Sequence, residues 1–205
     1  MRIGIFGGTF DPIHLGHLRL AEETREQLQL DRVLFVPNNV SPFKDEAMVT
    51  PGERRIEMIW RAVADNPHFE VSAVEVRRPG PSYAIDTLRA LRAECPVGDF
   101  FFLTGTDAVR DLAGWREPEA LMREARFVAA CRPGTEPDEV RNALPPHWAE
   151  RVTFIAMPGL DISATDLRAR VRARRSITYL VPRAVEEYIL ANGLYSDRAP
   201  QEDIS

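Results

Sequence analysis

The residues with the clearest chemical potential lie in one turn near the start of the chain. His14 and His17 are three positions apart, so they share one face of a helix, and Gly7 and Gly8 precede them directly after an apolar run at 3–6. A strand, a glycine turn and a helix aim backbone N–H groups and a positive dipole end at an anion. Imidazoles donate hydrogen bonds to phosphate oxygens in either protonation state. This stretch therefore predicts a phosphate-binding turn. The competing interpretation, histidines that merely pack, is weaker because two of the chain's four histidines lie here.

A second group of polar residues lies late in the chain, where a basic helix begins. Ser163 is typical of an N-cap, Thr165 lies in the first turn and Arg168 lies one to two turns in. Hydroxyls, backbone N–H groups and a guanidinium together can bind an anion. Taken alone, the pattern fits equally well a helix that Ser163 caps while Arg168 is solvated, as we expect for Arg172.

The elements that must position these groups alternate regularly. Six apolar stretches, at 3–6, 33–36, 69–76, 100–103, 127–131 and 152–155, are separated by segments with helical spacing. This order predicts an α/β fold: a Rossmann-like, mainly parallel sheet with helices on both faces and a ligand crevice at the carboxyl ends of the strands.

Local signals set the expected helix boundaries. The spacing predicts helices at 14–28 and 182–192, the second followed by Gly193, and one that Ser82 caps. Ile59 and Trp60 are expected on the apolar face of a further helix after residue 51. The length of 205 residues suits one domain, 1–195, with a C-terminal helical part at 163–195 and a flexible tail at 196–205.

Composition limits the partners and the compartment. The net charge of −5 argues against nucleic acid or an anionic membrane surface as a partner. Cys95 and Cys131 match no metal-binding spacing and no disulfide framework, and no apolar stretch reaches membrane-spanning length. We therefore expect a cytoplasmic protein.

The motifs also resemble a known family. Residues 7–17, with H-x-G-H at 14–17, closely resemble the signature of the nucleotidylyltransferase superfamily, and residues 162–168 resemble its I-S-x-T-x-x-R element. The resemblance implies ATP as substrate, attack on its α-phosphorus, release of pyrophosphate and a need for Mg²⁺. It also implies that His14, His17 and Arg168 are catalytic. The ATP-binding residues that it implies are Gly7, Gly8, Thr9, Phe10, His14, His17, Gly105, Asp107, Ser163, Thr165 and Arg168.

Further stretches are similar to bacterial nicotinate-mononucleotide adenylyltransferases: 81–88, 105–107, Trp115 and 132–134. The residues that this resemblance assigns to the acceptor are Lys44, Ala84, Thr87, Trp115 and Arg132. An indole can stack on a pyridine ring, and a carboxylate such as Asp107 suits a ribose hydroxyl or an adenine amino group. The alternatives are Trp115 as packing, Asp107 as a helix cap and Thr87 as an ordinary helix residue.

The chain departs from the family pattern at two places. The family often has P-P-H-K where this chain has Ser41-Pro42-Phe43-Lys44, and often threonine where it has Ala84. Lys44 keeps a cation that can reach a phosphate, and backbone N–H groups would have to replace the hydroxyl at position 84.

The expected activity is adenylyl transfer from ATP to nicotinate mononucleotide, giving deamido-NAD and pyrophosphate. Mg²⁺ is expected on the substrate phosphates, since the sequence offers no carboxylate cage for it. Transfer to nicotinamide mononucleotide or phosphopantetheine is the alternative within the enzyme class, and a non-catalytic nucleotide-binding regulator is the alternative outside it. The sequence leaves open whether the chain forms a homo-oligomer.

Overall fold

A six-stranded parallel sheet forms the centre of the structure, a computed structural model that describes residues 1–39, 49–131, 136–156 and 160–196. The strand order is β3-β2-β1-β4-β5-β6, and every neighbouring pair is parallel. The strands are β1 (Arg2–Gly8), β2 (Arg32–Pro37), β3 (Phe69–Val71), β4 (Asp99–Gly105), β5 (Arg126–Cys131) and β6 (Val152–Ala156). The predicted α/β class and parallel sheet are confirmed.

Helices connect the strands and cover both faces of the sheet. They are α1 (Leu15–Gln27), α2 (Gly52–Val63), α3 (Ala84–Glu94), α4 (Thr106–Arg110), α5 (Pro118–Glu124), α6 (Pro137–Asn142), α7 (Pro146–Ala149), α8 (Ala164–Arg172) and α9 (Arg183–Ala191). Side chains that alternate along β1 enter two separate cores: Ile3 and Ile5 pack with α3 to α7, whereas Phe6 packs with α1, α2, α8 and α9. Such two-sided burial explains why the strands read as continuous apolar runs.

The strand order reverses between β1 and β4. The chain first builds β2 and β3 on one side of β1 and then returns to build β4, β5 and β6 on the other. The register pairs Phe6 with Leu103, which brings the ends of β1 and β4, Gly8 and Gly105, to the same level. A crevice at this switch point is where ligands bind in open α/β sheets.

Two boundaries near β3 and α3 differ from the prediction. The strand expected at 69–76 ends at Val71, because β3 is an edge strand that pairs with β2 alone and the chain then turns. Ser82 does not cap α3, whose N-cap is Tyr83. The Ser82 hydroxyl instead accepts the backbone N–H of Asn39 at 3.0 Å, because the loop after β2 passes beside it.

The apolar face of α2 is rotated relative to the prediction. Arg55, Met58, Ile59 and Val63 form the buried stripe, whereas Trp60 is 58% exposed. These buried positions follow the i, i+3, i+4, i+8 spacing of one helical face. The expectation that Trp60 belongs to that face is therefore wrong, and a charged residue takes a core position instead.

The C-terminal helices agree with the predicted caps. The Ser163 hydroxyl accepts the backbone N–H of Asp166 at 3.1 Å, which confirms it as the N-cap of α8. Gly193 follows α9 with φ of +60°, a conformation that favours glycine. The predicted tail at 196–205 begins at the last described residue, and 197–205 lie outside the described residues.

The helical phase of α2 yields a stability test. We expect Met58→Ala to lower the free energy of unfolding by about 2–5 kcal/mol, because it empties a fully buried position. Trp60→Ala should lower it by no more than about 1 kcal/mol, since most of the indole faces solvent. Urea unfolding of both variants measures the difference, and an equal or larger cost for Trp60→Ala would contradict the observed phase.

Candidate active site

The two histidines of the first motif form a stacked pair at the start of α1. His14 is the N-cap residue, and its ring lies on that of His17 with centroids 3.6 Å apart and planes 22° apart. Gly16 makes room for this arrangement, because a Cβ there would lie 3.0 Å from His14 Nδ1. A side chain at position 16 would therefore press on the His14 ring.

His17 is held as a neutral hydrogen-bond donor. Its Nδ1 accepts the backbone N–H of His14 at 3.3 Å, which assigns the ring proton to Nε2. Burial, with a smaller contribution from the charge of His14, lowers the pKa of His17 to about 3. At neutral pH the ring thus offers an N–H group rather than a positive charge.

The two glycines at the end of β1 serve different purposes. Gly7 is exposed, and a Cβ there would meet nothing within 4 Å, so its backbone is open to a ligand. A Cβ at Gly8 would lie 2.9 Å from the ring of Phe10, which is buried and adopts φ of +51°. Phe10 packs edge-on against His17 with centroids 5.0 Å apart, so its side chain supports the histidine from within.

Arg168 reaches from α8 to the same turn. Its guanidinium donates to the backbone carbonyl of Asp11 at 2.7 Å and to the Thr165 hydroxyl at 3.3 Å. Thr165 is exposed at the start of α8, next to the N-cap Ser163. The two motifs that lie about 150 residues apart in sequence are thus brought into direct contact.

The end of β4 borders the crevice from the other side. Gly105 is exposed and a Cβ there would meet nothing within 4 Å. Asp107 lies in the first turn of α4 but is not its N-cap, which is Gly105, so the cap alternative is wrong. The Asp107 carboxylate is exposed, with Arg110 4.0 Å away.

The N-terminus of α3 combines backbone donors with a buried polar cluster. The N–H groups of Ala84 and Ile85 have no intrahelical acceptor, because the helix begins there. Thr87 is buried, and its hydroxyl lies 2.5 Å from the carboxylate of Glu75 and accepts from Arg78 at 3.1 Å. Burial raises the pKa of Glu75, partly offset by its hydrogen bonds. The Thr87 hydroxyl therefore faces the interior.

The structure describes only one of the three other residues that the resemblance assigns to the acceptor. Trp115 is half-buried and packs edge-on against Phe127 with centroids 6.1 Å apart, which matches its packing alternative. The rest of its surface stays accessible, so stacking on a ligand stays a prediction. Lys44 and Arg132 lie outside the described residues.

Sequence reasoning missed three residues in or beside the turn at 7–17: Asp11, Arg55 and Tyr195. Asp11 is 3% exposed and Arg55 2% exposed. The Tyr195 hydroxyl donates to the Asp11 carboxylate at 2.6 Å. No apolar pattern marks Arg55, a charged residue on the buried face of α2, and no local pattern connects Tyr195 with a turn 184 positions earlier.

Two properties of the described part of the chain bear on cofactors and location. Its His, Cys, Asp and Glu side chains form no group of three or more that could hold a metal ion. Within the same residues, every helix is too short or too polar to cross a bilayer.

A comparison against protein families matches most of the chain. The model of the cytidylyltransferase-like family matches residues 5–170, which include both motifs, 7–17 and 162–168. The chain belongs to the cytidylyltransferase-like family. The resemblance inferred from the two motifs is thereby confirmed.

Relatives of this cytidylyltransferase-like chain are similar over almost its whole length. A protein of Thermus thermophilus is 48% identical over 95% of this chain and 100% of its own length. One of Moorella thermoacetica is 45% identical over 96% of this chain and 93% of its own length. Both are named probable nicotinate-nucleotide adenylyltransferases. The fold also matches the structure of Plasmodium falciparum nicotinic acid mononucleotide adenylyltransferase complexed with NaAD: the TM-score is 0.76, at 20% identity, over 95% of this chain and 97% of that one.

The depressed pKa of His17 yields a pH test of stability. Below pH 6.5 His17 is protonated in the unfolded chain, whereas in the folded chain it stays neutral down to about pH 3. Because the unfolded state binds the extra proton, the free energy of unfolding falls as the pH falls. The slope from one proton is at most about 1.4 kcal/mol per pH unit. His17→Asn removes the titrating group, and we expect urea unfolding at pH 7 and pH 5 to show a smaller loss for the variant than for the ligand-free wild type.

The exposed His68 supplies the matched control for this test. His68→Asn should keep the wild-type difference between the two pH values. Equal pH dependence of His17→Asn and the wild type would show that His17 titrates normally in the folded protein.

Proposed function

We propose that this chain transfers the adenylyl group of ATP to nicotinate mononucleotide, giving deamido-NAD and pyrophosphate. One observation carries the proposal: the Arg168 guanidinium contacts the turn that leads to the stacked His14–His17 pair. Two sets of phosphate donors thus meet at the switch point of the sheet. The relatives at 45–48% identity, which carry the name of this activity, support the same reaction and a place in NAD biosynthesis.

The transfer needs positioning more than acid–base chemistry. An oxygen of the acceptor phosphate bonds to the α-phosphorus of ATP, the bond from that phosphorus to the bridging oxygen breaks, and the electron pair leaves with pyrophosphate. The acceptor phosphate is already ionised near neutral pH, so no strong base is required. In the proposal, Nε2–H of His17 and a donor of His14 neutralise charge on the transferred group, and Arg168 binds the leaving pyrophosphate.

The remaining residues divide between the two substrates. Gly7 and Gly105 let the nucleotide approach the backbone, since neither position has atoms that a Cβ would meet. Asp107 is assigned to the ribose or the adenine, and Thr165 and Ser163 to the phosphates. These assignments rest on the family resemblance and on the exposure of these positions around the crevice.

The acceptor is assigned to the N-terminus of α3. The backbone N–H groups at Ala84 suit the carboxylate of nicotinate, and Trp115 would cover the ring. In this scheme Thr87 supports the helix end from the interior, because its buried hydroxyl contacts Glu75 and Arg78. Lys44 and Arg132 stay assigned by resemblance alone.

Mg²⁺ is proposed to enter with ATP as part of the substrate. Hydrated Mg²⁺ is commonly bound through nucleotide phosphates and water with few protein ligands. The cytoplasm is proposed as the compartment from the cysteine usage of the sequence.

The acceptor specificity can be measured as pyrophosphate release from ATP with a panel of mononucleotides. We expect kcat/KM for nicotinate mononucleotide to exceed that for the nicotinamide form by at least about 100-fold, because backbone N–H donors satisfy a carboxylate but face the NH₂ of an amide. Comparable values would overturn the acid preference and leave adenylyl transfer intact. ATP binding without turnover on any acceptor would favour the non-catalytic regulator.

The role of Arg168 can be tested with a substitution that keeps its charge. Arg168→Lys should lower kcat/KM by about 100-fold or more, because an ammonium cannot reproduce the planar, multidentate donation of a guanidinium. Arg172→Lys, at an exposed position one turn later on α8, is the control and should stay within about twofold of the wild type. Similar steady-state kinetics for the two variants would contradict the assignment.

A further inference from the structure

A buried carboxylate lies behind the phosphate turn. Asp11 accepts the Tyr195 hydroxyl at Oδ1, at 2.6 Å, and the Thr50 backbone N–H at Oδ2, at 3.1 Å. Its backbone carbonyl accepts the guanidinium of Arg168 at 2.7 Å. One residue thus joins a C-terminal tyrosine to the cation assigned to pyrophosphate.

A buried guanidinium balances this carboxylate. Arg55 donates to the carbonyls of Thr50 at 2.8 Å, Thr9 at 2.9 Å and Asn38 at 2.7 Å. Thr50 therefore links the two charges, since its N–H contacts Asp11 while its carbonyl contacts Arg55. Burial lowers the pKa of Arg55, and the charge of Asp11 opposes this shift. The network thus holds the Thr9 carbonyl through Arg55, and the Asp11 carboxylate through Thr50 and Tyr195.

Tyr195 closes the network from the far end of the chain. After α9 the chain reverses through Gly193 and Tyr195, with φ of +60° and +64°. A left-handed conformation is unfavourable for tyrosine, so its contacts must compensate for it. Burial and the charge of Asp11 raise the pKa of Tyr195, which keeps its hydroxyl protonated as the donor.

We propose that Tyr195 is a positioning residue for ATP: its hydroxyl holds the Asp11 carboxylate, and through it the carbonyl against which the Arg168 guanidinium is oriented. The inference rests on the proposed function, in which Arg168 binds the leaving pyrophosphate. Tyr195 touches no substrate in this scheme. Its effect on ATP passes through Arg168.

Tyr195→Phe removes the hydroxyl and keeps the ring. We expect KM for ATP to rise roughly tenfold, because small misplacements of a charged donor weaken binding strongly, while KM for nicotinate mononucleotide changes less than about twofold. The control is Tyr188→Phe on α9, whose hydroxyl contacts Arg54 at the surface at 3.0 Å. It should leave both constants unchanged.

A double-mutant cycle separates positioning from a general structural role. If Tyr195 acts through Arg168, Tyr195→Phe should raise KM for ATP less than about twofold in an Arg168→Ala background, although its effect on thermal unfolding stays the same. A tenfold rise in both backgrounds, or an equal rise in KM for both substrates, would overturn the inference. If Tyr195→Phe does not fold, Asp11→Asn supplies the same cycle, since it weakens the same hydrogen bond from the acceptor side.

Equilibrium binding of ATP to the wild type, the two single variants and the double variant of this cycle distinguishes failure of the proposed function from failure of the positioning role. Wild-type protein that binds ATP but transfers no adenylyl group would contradict the proposed function, and the dissociation constants would still decide the role of Tyr195. Wild-type protein that turns over normally, with unchanged ATP affinity in Tyr195→Phe, would contradict the positioning role alone.

Discussion

The phosphate turn depends on one constraint: a buried carboxylate and a buried guanidinium must both be fully hydrogen-bonded. Removing either charge from water costs several kcal/mol, which only well-placed partners offset. Asp11 meets this requirement with a hydroxyl from the C-terminus and an N–H before α2, and Arg55 meets it with three backbone carbonyls. The hydrogen bonds of these two groups bring together the ends of β1 and β2, the start of α2 and the segment after α9.

This construction gives a site whose donors are set before a nucleotide arrives. His17 is neutral and its tautomer is determined by the His14 backbone, so it offers an oriented N–H. Arg168 adds a formal positive charge beside the turn, and the Asp11 carbonyl orients its guanidinium. Oriented donors that need no rearrangement are the most effective way to stabilise charge that develops on phosphoryl oxygens.

A second buried carboxylate lies near the start of α3, the helix end proposed for the acceptor. Glu75 is buried and accepts the Thr87 hydroxyl, which in turn accepts a hydrogen bond from Arg78. The N–H groups of Ala84 and Ile85 at that helix end have no intrahelical acceptor. Alanine at position 84 fits this arrangement, because a helix N-terminus can bind an anion without a side-chain hydroxyl.

The sequence by itself determined the parallel α/β sheet, the family and the cap at Ser163, because continuous apolar runs, motif spacing and capping chemistry are local properties. It misjudged the end of β3 and the buried face of α2, where pairing and packing with distant segments decide. Only the tertiary structure revealed the Asp11, Arg55 and Tyr195 network and the inward turn of Thr87. The physical reason is that a buried polar group pairs with whichever donor or acceptor the fold brings near it. The spacing of residues along the sequence does not show which distant residues will be neighbours.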